Sequence, residues 1–251
     1  MSEQNNNILA IASGKGGVGK TWLSVTLAHL VARNGKRVLL FDGDIGLANV
    51  DVQLGLTPQC DLNSVLSGRH TLKEAITRFP EGKFDIIAGR SGSTSLASMP
   101  LSKLQAITDE LLKLKSEYDL IILDLGAGIE QNVQYMASLA GRCLVVVTDE
   151  PTSLTDAYAF IKVSQNGENP PQPGVVVNMA ATQKEGEQTY HAINKACMNF
   201  LSISPTLYGI IRRDNKVKDS IRNQKSLLVR APHSTAATDA AALSIKLMKQ
   251  E

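Results

Sequence analysis

Apolar residues follow two rhythms that take turns along the chain. Unbroken apolar runs at residues 8–12, 37–41, 84–88, 119–124, 143–148, 175–179 and 205–211 predict strands. Runs without alternation belong to strands covered on both faces. Apolar positions at helical spacing fill residues 22–34, 101–116, 152–163, 188–201 and 234–251, which predicts helices with one buried stripe. The clearest stripe is Leu101, Leu104, Ile107, Leu111, Leu112 and Leu114, and in the last helix Ala241, Leu243, Ile245, Leu247 and Met248 are expected to pack on the body of the protein. Polar residues punctuate the pattern. Asp61 stands where a cap precedes a short helix, and Thr71 to Glu74 has the spacing of a capping box for a further one. The Gly/Ser-rich stretch 89–99 reads as a mobile loop and the proline-bearing stretch 166–173 as an exposed connection. Strands alternating with helices predict an α/β architecture, a mostly parallel sheet flanked by helices on both faces. With no internal repeat and no linker, residues 1–251 read as a single domain.

Composition narrows the picture only a little. A length of 251 residues suffices for one large core, and a net charge of +2 is too mild to argue for nucleic acid by itself. Cys60, Cys143 and Cys197 are too few and too scattered for a disulfide framework or a C-x-x-C metal site, so they read as reduced thiols of a cytosolic protein. The first seven residues lack the basic and apolar segments of a leader, and no uncharged apolar run reaches the roughly 18 residues of a spanning helix. A cytoplasmic location is expected. Charge becomes lopsided only from Arg212 to Arg230, where Arg212, Arg213, Lys216, Lys218, Arg222, Lys225 and Arg230 face Asp214 and Asp219. A solvated helix face is the commoner meaning of such a run; a grip on anionic lipid, DNA backbone or an acidic partner is the other.

The chemistry concentrates at Gly14-Lys15-Gly16-Gly17-Val18-Gly19-Lys20-Thr21, between the first predicted strand and the first predicted helix. Strand, glycine loop, helix is the context of a phosphate-binding loop, whose backbone N–H groups form an anion site at a helix N-terminus. Lys20 would reach the β- and γ-phosphates, and the Thr21 hydroxyl would ligate Mg²⁺. Gly14, Gly16 and Gly19 also satisfy the weaker dinucleotide fingerprint, with Asp42 near the expected acidic position. Lys20 and Thr21 decide for a nucleoside triphosphate, since a dinucleotide needs neither. Asp124 closes a later apolar strand, where it can hold a Mg²⁺-bound water opposite Thr21. Asp42 and Asp44 stand at the end of the second strand and in the loop beyond it, facing the same site. The glycines of 125–129 allow close approach to a γ-phosphate or else form a tight turn. Asn178 offers an amide to a purine edge or caps the next turn.

The form K-G-G-x-G-K-T, with Lys15 as well as Lys20, resembles the deviant Walker A ATPases of the MinD/ParA family over nearly the whole chain. The likeness extends through residues 42–51. At 149–158, 178–180, 217–224 and 231–234 it narrows to flagellar-number regulators of the FleN/FlhG type. It implies a P-loop NTPase fold, with ATP and Mg²⁺ as cofactors and slow regulatory hydrolysis. By the same resemblance, Lys15 reaches the phosphates of a second subunit in an ATP-dependent homodimer, and Lys20 and Asp44 complete the catalytic set, Asp44 orienting the attacking water. Gly14 to Thr21, Trp22, Asn178, Arg212 and Asp214 are the expected nucleotide-binding positions, and Thr21, Asp42 and Asp124 the expected metal side. The implied partner is a flagellar transcriptional activator or other flagellar protein, with recruitment to the cell pole or inner membrane face. DNA, as for a partition ATPase, is the less favoured partner, and a nucleotide-dependent binding module is the further alternative. Two residues depart from the family pattern. Trp22 replaces a small, often polar residue, which removes a hydroxyl near the α-phosphate while leaving the backbone N–H, and Arg212 replaces a proline beside the base. With a short lead before the first strand and a short tail after Lys249, the chain is also expected to lack an N-terminal activator extension and a strong C-terminal membrane-targeting helix.

Overall fold

The computed structural model describes residues 6–44, 49–89, 99–167 and 169–249. Between its two end residues, the mobile loop expected at 89–99 lies outside them. The strands are β1 (Ile8–Ser13), β2 (Val38–Gly43), β3 (Ile76–Phe79), β4 (Phe84–Ile87), β5 (Leu120–Ala127), β6 (Arg142–Val147), β7 (Gln172–Ala180) and β8 (Thr206–Arg212). The helices are α1 (Lys20–Arg33), α2 (Val50–Leu54), α3 (Leu62–Leu66), α4 (Leu101–Lys113), α5 (Gln131–Ser138), α6 (Pro151–Ser164), α7 (Gln183–Leu201), α8 (Asn215–Arg222), α9 (Leu227–Arg230) and α10 (Thr235–Met248). The strands join in one sheet, in the order β3-β4-β2-β5-β1-β6-β7-β8. Every neighbouring pair is parallel except β3 with β4.

The unbroken apolar runs are explained by the two covered faces. Because successive strand side chains point to opposite sides, Ile8 and Ala10 of β1 join Leu39, Phe41 and Ile121 in a core under α4, α5, α6 and α7. Leu9 and Ile11 join Leu40 and Ile122 in a second core under α1, α9 and α10. Helix interiors follow the expected stripes, with Leu104, Ile107 and Leu111 buried in α4 and Leu243 and Leu247 in α10. Leu112 and Ile245, read as members of those stripes, are 38% and 55% exposed and contribute little to either core.

Several short elements depart from the sequence pattern, among them α2, β3 and α5. The capping box at Thr71 closes as anticipated, with the Thr71 N–H donating to Glu74 Oε2 at 2.7 Å and the Glu74 N–H to Thr71 Oγ1 at 3.3 Å. No helix follows. The chain leaves the turn as β3 and pairs antiparallel with β4, where the Phe79 and Phe84 rings meet edge to face at 5.3 Å. That pairing is long-range packing, which local capping chemistry does not encode. The short helix α5 was also not anticipated, since only Val133, Met136 and Ala137 supply its buried apolar stripe. Among the described residues no helix is long and apolar enough to cross a membrane.

Candidate active site

Parallel order brings the C-terminal ends of β1, β2, β5, β7 and β8 to one edge of the sheet, where open α/β folds bind ligands. A cleft of about 1110 Å³ opens there. Of the residues singled out in the sequence, Gly16, Gly17, Gly19, Lys20, Thr21, Trp22, Asp44, Asn178, Arg212 and Asp214 line it. Gly14, Lys15, Val18, Asp42 and Asp124 do not form its wall and lie behind or beside it.

The glycine loop fits its surroundings closely on one side and leaves room on the other. A Cβ on Gly14 would come within 2.2 Å of the Asp156 backbone in α6, and a Cβ on Gly19, whose φ is +93°, within 2.4 Å of Asn178 Nδ2. Cβ atoms on Gly16 and Gly17 would meet nothing within 4 Å. The loop is thus clamped from behind and open toward the cleft, immediately before the N-terminus of α1, the geometry that suits an anion. Asn178 takes part in the clamp: its Nδ2 donates to the Val18 carbonyl at 2.7 Å, so that side of the amide is occupied by the loop rather than by a base.

The two lysines point to different duties. Lys20 is buried, donates to Ser13 Oγ at 2.9 Å, and has its pKa lowered by burial, against the opposing pull of Asp124 and Asp44. Ser13 in turn donates to the Lys15 carbonyl at 2.6 Å, which fixes the start of the loop. The Lys15 ammonium is partly exposed and engages Glu150 and, at 3.0 Å, Thr152 Oγ1, both at the start of α6. Position in the motif alone could not distinguish these partners.

Carboxylates gather behind the loop. Asp42 and Asp124 are side by side in the β2–β5 register, 0% and 1% exposed. Burial pushes both above the ordinary carboxylate range; for Asp42 the neighbouring Asp124 adds to the push, while for Asp124 the hydroxyls of Thr21 and Ser24 and the Lys20 charge oppose it. Ser24 Oγ donates to Asp124 Oδ1 at 2.8 Å. Asp124 Oδ2 is buried with no hydrogen-bond partner, and the Thr21 hydroxyl is first among the neighbours that favour the carboxylate's charge. An unpaired buried carboxylate oxygen beside a hydroxyl at the edge of a phosphate cradle fits Mg²⁺, which is held by one or two protein oxygens plus phosphates and waters. Asp42 has a different occupation. Its Oδ1 accepts the Asp44 N–H and its Oδ2 the Val50 N–H, both at 3.2 Å, so it ties down the two ends of the loop between β2 and α2. The Asp44 side chain lies over Gly126, where a Cβ would stand 3.4 Å from Asp44 Oδ1, and burial raises its pKa against the opposing Lys20 charge.

At the other end of the cleft, side chains hold the walls. The Arg212 guanidinium makes a two-pronged pair with Asp239 of α10, Nε to Oδ2 at 3.0 Å and Nη2 to Oδ1 at 2.7 Å. Asp214 caps α8 through the Lys216 N–H at 2.9 Å and accepts the Ala236 N–H of α10 at 3.1 Å. Both border the cleft while their polar atoms serve the protein. Trp22 is 4% exposed and its indole N–H has no hydrogen-bond partner. Sequence reasoning missed Ser13, Ser24, Glu150 and Asp239 as supporting groups. Ser24 was within reach, since it lies one helical turn from Lys20 and Thr21 and must share their face; the others depend on the tertiary fold.

A family model described as the CobQ/CobB/MinD/ParA nucleotide binding domain matches residues 9–227. The antiactivator FleN of Pseudomonas aeruginosa is 36% identical over 92% of this chain and 82% of its own length. The flagellum site-determining protein YlxH of Helicobacter pylori is 36% identical over 91% of this chain and 77% of its own. In fold, the chain is similar to the septum site-determining protein MinD of Pyrococcus horikoshii, solved with Mg-ADP, at a TM-score of 0.82 and 22% identity over 97% of this chain and 96% of that one. With a phosphate cradle, a buried lysine and a carboxylate–hydroxyl pair on one sheet edge, the chain belongs to the CobQ/CobB/MinD/ParA nucleotide-binding family.

Proposed function

We propose that residues 1–251 act as one ATPase domain, an ATP-driven dimerisation switch that regulates flagellar number or placement through a flagellar activator or other flagellar protein. The observation that carries the switch is the division between the two lysines: Lys20 is committed to the interior of its own site, whereas the Lys15 ammonium is partly exposed beside it. Its partners there, Glu150 and Thr152, are themselves at the surface, where the phosphates of a second copy of the chain can replace them. The flagellar assignment is supported by the 36% identity to FleN and YlxH.

ATP would supply the transferable phosphoryl group, and Mg²⁺, held by Thr21 and Asp124, would supply positive charge against the phosphates. On the protein side, the N–H groups of Gly14 to Thr21 cradle the phosphates and Lys20 neutralises charge growing on the phosphoryl oxygens. Thr21 and Asp124 are the metal-side oxygens, and Asp42 acts one step behind them by holding the Asp44 loop. Asp44 orients the attacking water. Trp22 contributes its backbone N–H, and Asn178, Arg212 and Asp214 shape the cleft around the nucleotide.

The test is assembly. With a non-hydrolysable ATP analogue and Mg²⁺, the parent should elute as a dimer and with ADP as a monomer, whereas Lys15→Ala should bind the analogue and stay monomeric. A Lys15→Ala protein that dimerises like the parent would falsify the action of Lys15 across an interface.

A further inference from the structure

Three consecutive residues after α8 are each anchored to a different element. Gln224 Nε2 donates to the Val52 carbonyl of α2 at 3.2 Å, Lys225 pairs with Glu81 of the β3–β4 turn at 3.5 Å, and Ser226 Oγ meets His29 Nδ1 of α1 at 2.8 Å. At its other end α8 is fixed through Asp214, which reaches α10. Helix α8 is therefore a bar along the cleft, held at both ends; α2 is seated on the body of the protein by buried Val50 and Leu54, and Gln224 ties its exposed C-terminal end to α8.

Gln224 itself has an unusual backbone. Its φ is +53°, in the left-handed region where a helix ordinarily ends on glycine. The termination is otherwise regular, the Lys225 N–H returning to the Ser220 carbonyl at 3.0 Å. A long amide side chain is a costly choice at such a position unless the side chain has a task. Facing it is Gly55, the left-handed cap of α2, where a Cβ would stand 3.1 Å from Gln224 Cβ. Two helix C-termini thus meet head to head, one trimmed to glycine so that the other can reach across.

The consequence lies at the phosphate end. Asp44 and Val50, the first residue of α2, share the Asp42 carboxylate, which accepts both N–H groups. We propose that Gln224 is a positioning residue for hydrolysis: by tying the end of α2 to α8 it steadies Val50, and with it the Asp42 carboxylate that also accepts the Asp44 N–H at the phosphate end of the cleft. The inference rests on Asp44 being the water-orienting group. An exposed hydrogen bond adds little to global stability, but a small displacement of an orienting group lowers the rate steeply.

Two substitutions separate the bond from the backbone. Gln224→Gly removes the amide and relieves the left-handed residue, so the protein stays folded; Gln224→Glu keeps length and backbone demands but turns an acceptor toward the Val52 carbonyl. Both should hold the thermal midpoint within a few degrees of the parent and the KM for ATP within about twofold, and lower kcat several-fold, on the order of a fraction of the loss from removing a positioned group outright. Amide hydrogen exchange over residues 49–56 in the nucleotide-free protein should quicken in both. Parental kcat in the two variants overturns the proposal, and so does a loss of kcat that merely tracks a fall in the thermal midpoint. If instead Asp44→Ala hydrolyses ATP normally, the reading of Asp44 fails, while the exchange measurement still reports on the clasp between α2 and α8. In the double variant Asp44→Ala/Gln224→Gly, no further loss of kcat beyond Asp44→Ala is expected.

Discussion

Asp44 and His29 are both titratable groups held at least partly out of water, and they lead to opposite kinds of consequence. Asp44 lines the cleft and lies over Gly126, where its carboxylate can face a ligand. Removing its carboxylate should leave ground-state contacts intact and cost transition-state stabilisation. Asp44→Ala should therefore bind ATP with near-parental affinity and release phosphate on the order of a hundredfold more slowly; a parental rate, or an affinity loss as large as that of Lys20→Ala, moves Asp44 out of this role. His29, by contrast, is 4% exposed and bonded to Ser226, and burial first, then the Arg33 charge, lowers its pKa to about 4. An unfolded histidine titrates near 6.5. Between those values the unfolded chain binds a proton that the folded chain refuses, so the stabilisation is whole above about pH 6.5 and drains away as pH falls toward about 4. In urea titrations at pH 7.5 and 4.5, the parent should lose about 2 kcal/mol more than His29→Gln on acidification. Equal losses would place the neutral imidazole outside the stability balance.

At the scale of elements, the phosphate loop is held by α6 as well as by the strand and helix that flank it. A Cβ on Gly14 would sit 2.2 Å from the Asp156 backbone, whereas one on Gly16 would meet nothing within 4 Å. Gly14→Ala should lower stability by roughly 1–3 kcal/mol, the range for forcing an extra methyl into a packed site, and weaken nucleotide binding, while Gly16→Ala should leave the thermal midpoint nearly unchanged. Calorimetry on the two variants checks the contrast, and equal midpoints would mean that α6 yields freely. The same elements indicate what could be read before the fold was known. Glycine spacing, Lys20, Thr21 and the aspartates at strand ends carried the site because each is dictated by local chemistry, and the unbroken apolar runs carried the doubly covered sheet. Local chemistry also misled: Thr71 and Glu74 make the bonds of a capping box, yet Phe79 and Phe84 pair their strands immediately afterwards. Arg212 and Asn178 were legible as residues near the cleft, but their partners, Asp239 and the Val18 carbonyl, lie 27 and 160 positions away and no spacing rule finds them.

For the whole molecule, the order of the strands matters more than their number. β1 lies between β5 and β6, with β2 beyond β5 and β7 beyond β6, so the loop residues, the paired aspartates and Asn178 converge from distant parts of the sequence on one edge. One wall comes from α8, pinned by Asp214 and by the residues after it, together with α2, which meets it at Gln224. Through this cleft the chain's single tryptophan acquires a use unrelated to binding energy. Trp22 adjoins Thr21, borders the cleft and is shielded from water. Its light emission is therefore a natural optical reporter: with no second indole to dilute the signal, a change in intensity or colour on adding nucleotide arises at the cleft itself. The tryptophan that follows Thr21 makes occupancy of the cleft observable in unlabelled protein.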